Sequence, residues 1–189
     1  MYASSATVSL PSLKTMSLTE VLFMDDQADP ADWIIPSLVS GCPRLEHLSI
    51  HRGLLGYNSH QLVISSDSLK SLEIMNCCSK RVAVTAKSLE SFIFDSDNCT
   101  CDYHGSVWLR KCDSLKYVDI SCKGLKDLVM LSCLQTMENS FCTPNLEYFI
   151  FSGNLNTKVH FVEVPSNLIK TTLCLGDYPW ILFCYKRFS

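Results

Sequence analysis

Apolar and polar positions along the chain repeat one short template, in which a leading apolar residue is followed three and five positions later by two more. It stands at Leu13-x-x-Met16-x-Leu18, Leu45-x-x-Leu48-x-Ile50, Leu69-x-x-Leu72-x-Ile74, Leu89-x-x-Phe92-x-Phe94, Leu115-x-x-Val118-x-Ile120 and Leu146-x-x-Phe149-x-Phe151. The last two apolar positions alternate with polar ones, as a half-buried strand requires, while the leading leucine packs where the chain enters that strand. Each segment therefore predicts one short parallel strand. A weaker seventh segment, Leu168-x-x-Thr171-x-Leu173, carries a hydroxyl at its central position and reads as a degenerate terminal unit.

Turn formers precede most of these strands, as in Leu10-Pro11-Ser12, Cys42-Pro43, Ser66-Asp67-Ser68, Cys112-Asp113-Ser114 and Thr143-Pro144-Asn145. Leading leucines are separated by 32, 24, 20, 26, 31 and 22 residues, against about 20–29 in regular leucine-rich repeats. The expected fold is thus α/β: an irregular leucine-rich-repeat solenoid, with a curved parallel sheet of about six or seven short strands and an outer wall of loops, short strands and few helices. Residues 1–175 are expected to form the repeat domain and 176–189 a divergent tail. Leu62-Val63-Ile64, Val82-Ala83-Val84 and Val159 to Val164 read as extended. Helix is expected at Pro36 to Ser40, with Pro36 at a first helical position and Gly41 as a stop. Leu125 to Met137 fits two templates: Leu125-x-x-Leu128-x-Met130 matches the strand pattern, and Leu125, Leu128, Val129 and Leu131 form a helical stripe, which is the preferred reading.

The residue after each leading leucine alternates in sign through Lys14, Glu46, Lys70, Glu90, Lys116 and Glu147. If consecutive repeats stack as neighbouring strands, each charge in this row meets an opposite one, so the row specifies register. The chain has 189 residues, 47% hydrophobic and 19% charged. That composition suits one folded domain rather than disorder. A net charge of -3 offers no clustered cation for phosphate backbones, so nucleic acid is not an expected partner. The most apolar stretch, Thr171 to Tyr185, is broken by Gly176, Asp177 and Pro179, so no membrane span is expected. The eleven cysteines come after no secretory signal, and several follow strand-like apolar positions, as Cys77 and Cys122 do. They read as free, mostly buried thiols in a cytoplasmic or nuclear protein.

Leu38-Val39-Ser40-Gly41-Cys42-Pro43-Arg44-Leu45-Glu46-His47-Leu48-Ser49-Ile50 and Ser66-Asp67-Ser68-Leu69-Lys70-Ser71-Leu72-Glu73-Ile74 resemble the repeat region of plant F-box proteins with leucine-rich repeats. The likeness covers roughly residues 8–155. It implies repeats that recognise a target for ubiquitin ligation, with a separate F-box docking on the adaptor of a cullin-RING ligase. No F-box pattern stands ahead of Leu10, and the family's C-terminal extension is not recognisable after Thr157. The chain reads as a fragment or truncated relative, and adaptor docking is expected only where an F-box lies upstream. The expected function is a protein-interaction module, the substrate-recognition region of an F-box-type ligase component. The alternative is a stand-alone repeat protein that binds a partner without ligase coupling.

Strand residues alternating with the buried pair should line the concave sheet, and those most suited to holding a protein partner are Glu73, Ile93, Asp95, Tyr117, Asp119, Tyr148 and Ile150. None of the residues expected on that face is Lys or Arg, so the expected partner is a basic and apolar segment. Tyr117 and Tyr148 stacked on one another as a cover for the sheet is the structural alternative. Cys99-x-Cys101-x-x-His104 with Cys112 offers four soft ligands, but two knuckles of closely spaced ligands are missing and no metal is assigned. Asn98-Cys99-Thr100 matches a glycosylation acceptor that matters only in a secretory compartment. His47 and His51 lack a general acid or base partner, and none of the seven glycines forms a phosphate-cradling loop. No catalytic residue and no cofactor is expected, and the chain reads as a binder rather than an enzyme.

Overall fold

The computed structural model describes residues 9–20, 31–52, 62–77, 81–95, 105–133, 138–153, 159–175 and 181–185. Their strands form two sheets. The first contains β1 (Thr15–Thr19), β2 (His47–His51), β4 (Ser71–Met75), β6 (Ser91–Asp95), β8 (Tyr117–Ser121) and β10 (Glu138–Cys142), side by side in that order. The second runs from β3 (Leu62–Ser65) through β5 (Arg81–Thr85), β7 (Gly105–Arg110), β9 (Leu125–Cys133), β11 (Tyr148–Gly153) and β12 (Lys170–Leu175) to β13 (Ile181–Tyr185). From β2 to β11 the chain visits the two sheets alternately, one strand in each, so it winds as a β-solenoid with leucine-rich-repeat character. Pairing is parallel everywhere except between β12 and β13.

The apolar template explains the winding. Its alternating positions point inward from both sheets, so Leu72, Phe92 and Val118 align across the first and Val82, Val107 and Leu128 across the second. All six are fully buried. The leading residues Leu45, Leu69, Leu89, Leu115, Leu125 and Leu146 are buried too. Most of them close a tight turn: the N–H groups of Leu45, Leu89, Leu115, Leu125 and Leu146 donate to the carbonyls of Cys42, Ala86, Cys112, Cys122 and Thr143 at 3.0–3.3 Å. Those acceptor residues are small and buried, which lets the turn enter the core. Six described cysteines are free thiols, all buried but the half-buried Cys142. Each coil leaves β1, β2 and β4 through a residue of left-handed conformation, Glu20, Arg52 and Asn76 (φ 56°, 52° and 53°), whose N–H extends the ladder by donating to the last residue of the neighbouring strand.

Three sequence expectations need correction. Leu125 to Met137 contributes a strand, because β9 hydrogen-bonds to β7 on one side and β11 on the other, and Leu128 and Met130 turn inward while Leu131 faces out. A helix there would break both ladders. The helix expected at Pro36 begins earlier, as α1 (Ala31–Ser40), since buried Ile35 and Val39 set a stripe that starts before the proline. It packs beside β3, and Gly41 follows its last residue. The Leu146 segment, β11, belongs to the second sheet rather than following β8. Its place beside β8 is taken by β10, whose inward residues are Asn139 and Phe141. The tentative Leu168 unit also supplies a second-sheet strand, β12, and Phe161 continues the first sheet through a single bridge to Phe141.

The alternating charges form ion pairs along the rim of the first sheet: Lys14–Glu46 at 2.8 Å, Lys70–Glu46 at 2.7 Å and Lys116–Glu90 at 2.9 Å. Glu147 instead meets Lys126 at 2.5 Å on the second sheet. Between them, the hydrogen bonds from Lys14 and Lys70 hold the Glu46 carboxyl down to about 2, from an ordinary 4.5. Folding therefore favours its charged form, and that contribution is complete above pH 4.5 and lost as pH falls toward 2.

Two measurements check this account. Phe92→Ala should lower unfolding stability by about 3–5 kcal/mol in denaturant titration, because the ring is sealed between Leu72 and Val118. Glu46→Gln should flatten the loss of stability between pH 4.5 and 2 in acid titration of the folded chain, and an unchanged acid limb would refute the role given to the rim.

Candidate protein-binding face

The parallel registers fix the outward side chains of the first sheet into three rows that cross all six strands. The first row is Thr15, His47, Ser71, Ser91, Tyr117 and Glu138, and the second is Ser17, Ser49, Glu73, Ile93, Asp119 and Ser140. Thr19, His51, Met75, Asp95, Ser121 and Cys142 make the third. No Lys or Arg occupies any of these positions. The β1 end is hydroxyl-rich, with the Ser49 hydroxyl donating to that of Ser17 at 3.0 Å. Toward β10 the face becomes acidic, aromatic and apolar.

Five of the candidate residues come together here: Glu73, Ile93, Asp95, Tyr117 and Asp119. Ile93 lies between Glu73 and Asp119 in the central row, and Tyr117 is 38% exposed, enough ring to cover a partner side chain. The Tyr117 hydroxyl lies 3.4 Å from the Asp119 carboxylate and donates to it. The charge on Asp119, reinforced by loss of solvent, pushes the phenol above its usual value. On β2, Nε2 of His51 lies 3.5 Å from the Glu73 carboxylate at the centre of the face.

Tyr148 and Ile150 stand elsewhere. Both project outward from β11 on the second sheet, where Tyr148 is flanked by Asp127 and Lys170 and Ile150 by Val129 and Thr172. The alternative in which Tyr148 stacks on Tyr117 is excluded by that placement. Sequence reasoning missed Glu138, which adds a carboxylate beside Tyr117 at the end of the first row. Its strand escaped the apolar template because Asn139 takes an inward position. The Asn139 side-chain oxygen is satisfied by the His160 backbone N–H at 2.8 Å, which is how a polar residue is accommodated there.

The described residues hold no group of three or more His, Cys, Asp or Glu able to bind a metal. The Cys99 to His104 loop and Asn98 lie outside the described residues. Cys133, hydrogen-bonded to Cys112 and deeply buried, has its thiol pushed up by both effects and is the opposite of an activated nucleophile. No described helix is long and apolar enough to cross a membrane.

Fold and face together define a leucine-rich-repeat solenoid, a class typical of non-enzymatic interaction modules, with protein partners as its usual ligands. A family model described as "FBD-associated F-box protein At5g56370, LRR repeats" matches residues 2–144. The chain belongs to this family of F-box-associated leucine-rich repeats. It is also similar to "Putative F-box protein At3g44060" of Arabidopsis thaliana, at 39% identity over 66 residues, 35% of this chain. The match spans only 13% of that relative's length. No solved structure matches the chain.

The pairing of Tyr117 with Asp119 has a direct check. In Asp119→Asn, ultraviolet titration of the tyrosines should show one phenol ionising at lower pH than in the wild type, while Asp95→Asn should leave that phenol closer to its original position.

Proposed function

We propose that the outward face of the first sheet recognises a target protein for an F-box-type ubiquitin ligase, binding an extended segment that carries basic and apolar side chains. One observation carries this reading: Glu73, Ile93, Asp119, Tyr117 and Glu138 adjoin one another on a face with no Lys or Arg among its outward positions. Carboxylates at Glu73, Asp95, Asp119 and Glu138 would pair with the cations of such a segment, and Tyr117 and Ile93 would cover its apolar groups. Charge complementarity of this kind sets orientation and encounter rate more than affinity.

Support for ligase coupling comes from the family's F-box association and from the F-box in the relative's name. The chain would supply selection, and other subunits the chemistry; it would not itself be an enzyme. An F-box preceding the repeats would carry the cullin-RING adaptor. The free, buried cysteines fit a reducing cytoplasmic or nuclear setting. Co-purification of the adaptor with the full gene product tests coupling, and a stable repeat protein that never captures the adaptor would favour the stand-alone alternative.

For recognition, the probe is a labelled peptide of alternating Lys and Leu, followed by fluorescence anisotropy. Tyr117→Ala and Asp119→Asn should each weaken binding by about tenfold, the scale of a modest interface anchor, and affinity should fall with added salt. Equal affinities across both variants and the wild type, with folding intact, would overturn the proposal.

A further inference from the structure

The second sheet has an outward face of opposite character. Its central row runs Val63, Ala83, Trp108, Val129, Ile150 and Thr172 across six strands, apolar at every position but the last and with Val129 buried among its neighbours. Neighbouring strands lie about 4.8 Å apart, so the row extends over roughly 24 Å, the span of about seven extended residues. Trp108 occupies its middle. Two guanidinium groups lie against that ring, Arg81 at 3.8 Å and Arg110 at 4.4 Å from its centroid. Arg81 reaches it from β5, across the sheet, and Arg110 from two residues along β7.

This arrangement differs from a surface arginine trailing in solvent. The Arg110 guanidinium, held on the indole, has already given up much of its rotational freedom, yet its N–H fork can still take a carboxylate in two parallel hydrogen bonds. Arg110 is exposed and has no ion-pair partner among the described residues. The indole N–H of Trp108, shielded from solvent, has no acceptor among them either. Asp127 is the one carboxylate at a described outward position of this sheet, and it sits in the adjacent row, beside Ser106 and Tyr148. Loss of solvent, then the charge of Glu147, pushes its carboxyl up. Val63 and Tyr148 remain 37% and 40% exposed at either side.

We infer that the outward face of the second sheet is a separate docking surface for an extended protein segment in which acidic residues alternate with apolar ones, a carboxylate being received by Arg110 beside Trp108. The charge sign names the occupant, since the first face repels such a segment and the second one attracts it. A solenoid built this way holds two segments of opposite chemistry on its two walls. This surface does not depend on the target-recognition role given to the first sheet.

The test uses the whole chain and two labelled peptides, one alternating Glu with Leu and one alternating Lys with Leu, at low salt. The Glu peptide should bind the wild type and lose about tenfold or more in affinity to Arg110→Glu, a surface substitution that leaves the thermal transition in place. Tyr117→Ala, on the other wall, should leave Glu-peptide binding unchanged, and Trp108→Phe should weaken it less than Arg110→Glu does. In Arg110→Glu the preference of this wall should shift toward the Lys peptide, measured against a background of Tyr117→Ala and Asp119→Asn that weakens the first face. Glu-peptide affinity unchanged by Arg110→Glu would overturn the inference, as would equal sensitivity to Tyr117→Ala. Concentration-dependent dimers that Arg110→Glu abolishes would also overturn it, by showing that a second copy of the chain occupies the wall.

Discussion

Everything in this molecule depends on coils burying one another. A single coil contributes two short strands and a leading leucine or two, too little apolar surface to offset the conformational entropy of ordering some twenty residues. Stacked in register, the inward rows become continuous, and residues such as Leu72, Phe92 and Val118 are sealed by the coils above and below. The backbone repeats this dependence, because in parallel sheets each strand finds its hydrogen-bond partners in neighbouring coils. The rim of alternating Lys and Glu is weak by comparison, since exposed ion pairs contribute roughly 0–1 kcal/mol each. Its effect is on register, where a slip of one coil would bring like charges together.

The same dependence dictates where function can reside. Inward positions are committed to the core and turns to closing the coils, so the outward rows are where chemistry can vary freely. Two walls then carry two compositions. On the first, Glu73, Asp95, Asp119 and Glu138 surround Ile93 and Tyr117; on the second, Arg81 and Arg110 hold Trp108 within an apolar row. The difference in composition between the two walls is compatible with a recognition scaffold for protein segments, and it fits the family of F-box-associated repeats to which the chain belongs.

Much of this was legible in the sequence, because the template of a leading leucine and two alternating apolar residues directly encodes strand, turn and inward face. Five of six template strands fell in the expected sheet. The sixth did not, since the template says that a segment is an inward-facing strand but not which wall it joins. Between Leu115 and Leu146 the chain makes three strands rather than one: β9, entered at once through the Cys122 turn, reads equally as helix, and β10 hides its inward position behind Asn139. With the first-sheet strand β10 missed, the wall assigned to the Leu146 segment flipped, carrying Tyr148 and Ile150 away from the candidate face. Register within a wall was legible from charge alternation, whereas the Arg81 contact with Trp108 depends on which strands become neighbours, and no local pattern records that.

The wall assignment of β11 is the claim on which both faces stand, and interstrand nuclear Overhauser contacts in isotope-labelled protein test it most directly. Backbone protons of Tyr148 should show contacts to the region of Asp127 on one side and of Lys170 on the other, and those of Glu138 to the region of Tyr117. Contacts between Tyr148 and Tyr117 would place β11 beside β8 and contradict the account.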